Sequence, residues 1–147
     1  MASASVQSGY EPEVRWMFGW ALLLFVWTVG IGILNGLDLV EFERKVLLTH
    51  LHVGTLAWLS MAVFAASLVL FSSEASPAMR LVARAAPLVA LLYNLAFLTT
   101  TSLVRPALGA LMLGVILVFA VRGFMQARGR ALSVPHLGML AGLATSR

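Results

Sequence analysis

Long apolar runs separated by short charged stretches divide this chain. The runs fall at about residues 16–37, 46–71, 85–104 and 107–125. Each can cross a hydrocarbon core roughly 30 Å thick as a helix rising ~1.5 Å per residue. The pattern therefore predicts an all-α integral membrane four-helix bundle, a single transmembrane domain over residues 1–147. The first run is too long for the apolar region of a signal peptide and lacks a small-x-small cleavage site. Glu11 and Glu13 stand beside Arg15 ahead of it, so it reads as a retained helix.

The connections differ in kind. Asn35 to His50 alternates apolar and charged residues at helical spacing and predicts an amphipathic segment at the membrane surface. "SSEASPAMR", Ser72 to Arg80, reads as an exposed loop. "VRPAL", Val104 to Leu108, is short enough to make the third and fourth helices antiparallel neighbours. Residues 135–146 begin as a helix would, with Pro135 in the first turn. About a dozen residues are too few to span a bilayer. This predicts a short fifth helix, re-entrant or at the surface, or the start of a further span in a longer protein.

Composition agrees with the pattern, since 61% of residues are hydrophobic and 11% charged, too little polar surface to cover a soluble globule. With no cysteine, disulfides, thiolate metal sites, iron–sulfur clusters and covalent c-type heme attachment are excluded. A net charge of +4 confined to short loops carries topology information and speaks against nucleic acid as a partner. Arg15, Arg80, Arg84, Arg122, Arg128 and Arg130 share one side, against Arg44, Lys45 and Arg105 on the other. The positive-inside rule then places the N-terminus in the cytoplasm, the expected setting being a bacterial inner membrane. Membrane lipid is one expected partner.

Candidate chemistry gathers toward the opposite face. Asn35 ends the first helix, Thr49, His50, His52 and Thr55 open the second, and Thr99 to Ser102 close the third. Residues two apart on a helix point roughly 200° from one another, so His50 and His52 cannot grip one metal together. From His50 a stripe of small residues runs through Gly54, Ala57, Met61 and Ala65, whereas from His52 a bulkier face runs through Thr55, Leu56, Leu59 and Val63. Spacing alone favours His50 as the inward residue. An interfacial histidine with no ligand is the competing reading. Gly32 and Gly36 in the first helix, and Gly109, Ala110 and Gly114 in the fourth, offer thin faces for helix packing. Asn94 in mid-helix should face a helix or a ligand, and Pro87 should sit near a helix start.

"THLHVGTLAWLSMAVFAASLVLF", Thr49 to Phe71, resembles the second transmembrane helix of heme-copper oxidase subunit I-like and nitric-oxide-reductase-like membrane proteins, whose N-terminal portion this chain would represent. The match rests on His50, His52, Gly54 and Trp58. The resemblance implies that one of the two histidines is an axial ligand of a b-type heme. The later helices that supply the remaining ligands in that superfamily have no counterpart here. His136 is the sole other histidine and falls on the opposite side. A complete oxidase or reductase centre is thereby excluded for this chain alone, and no independent catalysis is expected. Three function classes follow. One is a heme-binding subunit of an electron-transfer complex. Another is an accessory subunit of a respiratory or photosynthetic complex, packing against other membrane subunits or its own copies and binding lipid, quinone or a bacteriochlorophyll magnesium. The third is a small transporter, disfavoured because none of the four runs holds an acidic residue.

Overall fold

The computed structural model describes residues 9–72, 75–99, 103–128 and 133–145. It is an all-α bundle. The helices are α1 (Glu11–Gly36), α2 (Arg44–Phe71), α3 (Pro77–Thr99), α4 (Val104–Ala127) and a short α5 (Val134–Thr145). The first four are long and apolar enough to cross a membrane. They run alternately up and down, so one end of the bundle holds the start of α1, the end of α2, the start of α3 and the end of α4.

Three local expectations need correction. The third helix starts at Pro77, eight positions before the expected residue 85, so much of the stretch read as a loop is helical. Arg80 and Arg84 had the look of loop punctuation, but both side chains find acceptors across the bundle, which removes the cost of charge on a helix end. Pro87 consequently lies inside α3. It denies the carbonyl of Ala83 its intrahelical donor. At this break the Trp16 indole N–H donates to the next carbonyl, that of Arg84, at 3.2 Å. The segment between α1 and α2 is not an amphipathic helix. It is a turn in which Asp38 adopts φ 52°, a left-handed conformation that a short polar side chain tolerates. Helix resumes only at Arg44.

Lipid tails are as apolar as leucine, so helix association rests on close packing and polar contacts rather than on burial from water. α1 packs along α2, and α3 packs against α1, α2 and α4. A column of Ala83, Ala86 and Ala90 on α3 is fully buried and lets neighbouring backbones approach. Phe64 of α2 stacks on Phe119 of α4, centroids 4.1 Å apart and planes 6° from parallel. Such a pair adds about 1 kcal/mol to simple contact. Outward positions are leucine, valine and phenylalanine, among them Leu22, Leu23, Val26, Leu113 and Leu117, as a lipid-facing surface requires.

The end holding the start of α1 is locked by polar groups. Glu13 is buried, and Arg84 donates to its Oε1 from Nε at 2.8 Å and from Nη2 at 2.7 Å. The backbone N–H of Ser76 donates to the hydroxyl of fully buried Tyr10 at 2.7 Å. Arg80 donates to the carbonyl of Gly9 at 3.0 Å. These contacts tie the first turn of α1 to the start of α3. The pair is asymmetric, because the Arg84 side chain is 62% exposed and that of Glu13 is 0% exposed. Removing the exposed partner strands a buried carboxylate, whereas neutralising the buried partner leaves an arginine that can turn to water. Arg84→Ala should therefore cost about 2 to 3 kcal/mol and Glu13→Gln less than about 1 kcal/mol. Thermal unfolding in detergent checks the order, and equal losses would contradict it.

Candidate site at the paired histidines

The core-facing residues at the head of α2 are neither histidine. Thr49 and Val53 are fully buried and begin a ridge that continues through Ala57 and Met61. His50 and His52 flank that ridge, each half-buried against a different helix. The expectation that His50 is the inward residue is thus replaced by a division of the two sides. The remainder of the predicted small-residue stripe, Ala57, Met61 and Ala65, does lie in the core.

His50 turns toward α1. Its Nδ1 lies 2.9 Å from the hydroxyl of Thr28, and that hydroxyl donates to the His50 carbonyl at 3.1 Å. The Nδ1–H tautomer satisfies both contacts at once, with the ring donating to Thr28 Oγ1. Two glycines make the approach feasible. A Cβ on Gly32 would stand 3.4 Å from His50 Cε1, and one on Gly54 would stand 3.2 Å from Thr28 Oγ1. A Cβ at Gly32 would thus meet the imidazole at ordinary contact distance, whereas one at Gly54 would require the Thr28 hydroxyl to give by a few tenths of an ångström.

His52 turns toward α3. Its Nδ1 lies 2.7 Å from the carbonyl of Leu48, an atom that only accepts, so Nδ1 carries the proton. The ring stacks on Phe97 at 3.9 Å with planes 27° apart, and Tyr93 meets it edge-on at 5.9 Å. Arg105, at the start of α4, places its guanidinium 4.6 Å from the Phe97 centroid on the far side of this aromatic group. Gly109 makes room below, where a Cβ would come within 3.2 Å of Tyr93 Cε2. The arrangement fixes both ring orientation and tautomer and leaves Nε2 of His52 with an unshared pair. A metal-ligating histidine is held in this way, its second nitrogen donating to a carbonyl.

Immediately after His52 the helix widens into a π turn over Val53–Ala57. Such turns often accompany functional sites. Here the turn carries Val53 and Ala57, both fully buried, just below the two histidines. Gly54 lies in this turn against Thr28, and Trp58 follows it, making an edge contact with Phe25 of α1 at 5.0 Å. Trp58 is thus a packing residue about two turns below the imidazoles. Thr55 and Thr49 return their hydroxyls to the carbonyls of Leu51 and Lys45, both at 2.8 Å. The expected Thr99 to Ser102 hydroxyl group lies outside the residues whose side chains are described.

His136 has a different task. Its Nε2 donates to the carbonyl of Leu70 at 3.0 Å, and its Nδ1 pairs with the hydroxyl of Ser133 at 2.6 Å. It thereby docks α5 and satisfies a carbonyl in the last turn of α2 that has no intrahelical donor. Both nitrogens are engaged, at the end of α2 remote from His50 and His52. Asn94 is fully buried, its Nδ2 donating to the Ala90 carbonyl at 2.6 Å while Oδ1 has no partner among the described residues. Sequence inspection found Asn94 and both histidines, but not Thr28, Phe97 or Tyr93, which look like ordinary membrane-helix residues until their partners are known. No group of three or more metal-binding side chains occurs among the described residues.

The Thr28 clasp is testable in isolation. Thr28→Val keeps the shape and deletes the hydroxyl, and should destabilise the bundle by about 1 to 2 kcal/mol without disturbing the His52–Phe97 stack. Thermal unfolding together with the ring resonances of His52 reads both effects. Comparison with protein-family profiles, curated proteins and solved structures finds no match to this chain.

Proposed function

We propose that this chain is a membrane subunit of an electron-transfer complex of the heme-copper oxidase-like kind, in which His52 supplies one axial ligand to a b-type heme. The observation that carries the reading is the fixed Nδ1–H tautomer of His52, which presents an unshared pair at Nε2 within an aromatic frame. Phe97 and Tyr93 would hold the imidazole in orientation, and the Arg105 cation is the chemical complement of a carboxylate substituent at the same end. The heme, when bound, would supply one-electron redox chemistry. The chain's own part is to position the ligand and exclude water from its Nδ1 side.

The donor set fits one axial position. Met61 is buried in the core below the π turn, and His136 is fully hydrogen-bonded at the other end of α2. A second axial ligand therefore comes from another subunit or from residues beyond those described, in keeping with a subunit that does not catalyse alone. In this reading His50 is a positioning residue that clasps α1 to α2. The chain sits in a bacterial inner membrane with its N-terminus in the cytoplasm. Arg15, Arg80, Arg84, Arg122 and Arg128 at that end, against Arg44, Lys45 and Arg105 at the other, support this orientation.

The test is the absorption spectrum of protein purified from membranes in mild detergent. A reduced-minus-oxidised spectrum with α and β bands and a Soret band is expected. It should vanish in His52→Ala and persist in His50→Ala and His136→Ala. An unchanged spectrum in His52→Ala, or a colourless wild-type protein, contradicts the proposal. A far-red band dependent on His52 would replace heme by a bacteriochlorophyll, whose magnesium needs one protein ligand, and would move the chain to the accessory class.

A further inference from the structure

A second feature lies at the opposite end of the bundle and does not depend on the histidines. Between the first turns of α3 and the last turns of α4 the lipid-facing surface opens into a groove of about 490 Å³, within the size range of ligand-binding clefts. Its walls are aliphatic, including Met79 and Val82 from α3 and Leu117 and Val121 from α4, and Arg122 and Gln126 stand at the end nearer the α4 terminus. Arg122 is half-buried and has no counter-ion among the described residues. Its Nε is buried without a partner, and its Nη2 reaches the Tyr10 hydroxyl at a long 3.4 Å. The salt bridges among the described residues are Lys45 with Glu43 and Arg84 with Glu13, and Arg84 occupies Oε1 of that buried carboxylate while its Oε2 has no partner among the described residues.

We propose that this groove binds one anionic phospholipid, with an acyl chain along the aliphatic walls and the phosphate on the Arg122 guanidinium. Three observations converge on that occupant. The groove opens on a bundle surface that already faces hydrocarbon. Arg122 lies little more than one turn from the end of α4, the depth at which a headgroup phosphate meets a transmembrane helix. Its positive charge and idle Nε–H call for an anion with several acceptor oxygens, which a phosphate provides. A zwitterionic lipid brings its own cation and satisfies this demand less well.

Native mass spectrometry of delipidated protein back-titrated with phosphatidylglycerol or phosphatidylcholine tests the proposal. One phosphatidylglycerol per chain should be retained about tenfold more strongly than phosphatidylcholine. Arg122→Gln should erase the preference, whereas Arg128→Gln, at an exposed arginine on the same end, should preserve it. Leu117→Trp should exclude the lipid by filling the groove. Leu117 is 54% exposed, so this variant folds independently of the core and carries the test if Arg122→Gln does not fold. Equal retention of the two lipids, equal loss in Arg122→Gln and Arg128→Gln, or full retention in Leu117→Trp would overturn the assignment. So would competition by glycerol phosphate without acyl chains at the same concentration as the lipid, which would make the site one for a free phosphate.

Discussion

A polar atom inside hydrocarbon has no water to fall back on, and the polar contacts of this bundle follow that constraint, with Glu13 Oε2, Asn94 Oδ1 and Arg122 Nε left without a partner among the described residues. Thr49 and Thr55 return their hydroxyls to their own helix, Asn94 returns its amide to Ala90, and Glu13 meets Arg84. The histidines obey the same constraint. One ring nitrogen of each is committed to a neighbour, and the direction of that commitment decides what the other nitrogen can do. For His52 the acceptor is a backbone carbonyl, which settles the proton on Nδ1. For His136 the carbonyl of Leu70 draws the proton to Nε2. The two side chains, chemically identical, thereby carry their protons on opposite nitrogens, and His136 uses its own to cap the end of α2.

The division extends to the whole bundle. The end holding the start of α1 is fastened by side chains from α1, α3 and α4 that converge on Tyr10 and Glu13, and this rigid end carries most of the arginines. The opposite end is held by aromatic and hydroxyl contacts around α2. There the π turn over Val53–Ala57 lies just below two imidazoles that flank a buried ridge, His50 against α1 and His52 against α3. Small residues set the distances at both seams of that end, Gly32 and Gly54 toward α1 and Gly109 toward Tyr93. A Cβ at Gly54 or Gly109 would press on Thr28 or Tyr93, which must give by a few tenths of an ångström, while one at Gly32 would only touch His50.

Much of the bundle is legible in the sequence because about 20 apolar residues in a row have few alternatives to a membrane helix. The divergence of His50 and His52 is legible too, since helical rotation alone dictates it. The start of α3 at Pro77 is hidden, because Arg80 and Arg84 look like loop charges unless Gly9 and Glu13 are known to receive them. The turn at Asp38 is hidden for the opposite reason, its charged residues matching a helical period by chance of spacing. No local signal announces the π turn over Val53–Ala57. The partners Thr28 and Phe97 lie 22 and 45 positions from their histidines, and pairing at that separation has no signature in one chain.

The central claim is that hydrogen bonding fixes His52 as the Nδ1–H tautomer with Nε2 free to ligate. Solid-state ¹⁵N NMR of histidine-labelled protein in lipid bilayers reads this directly, with His50→Ala and His136→Ala samples providing the assignment. The geometry predicts a His52 that carries a proton on Nδ1 and a His136 that carries one on Nε2. A His52 that lacks a proton on Nδ1 would contradict it.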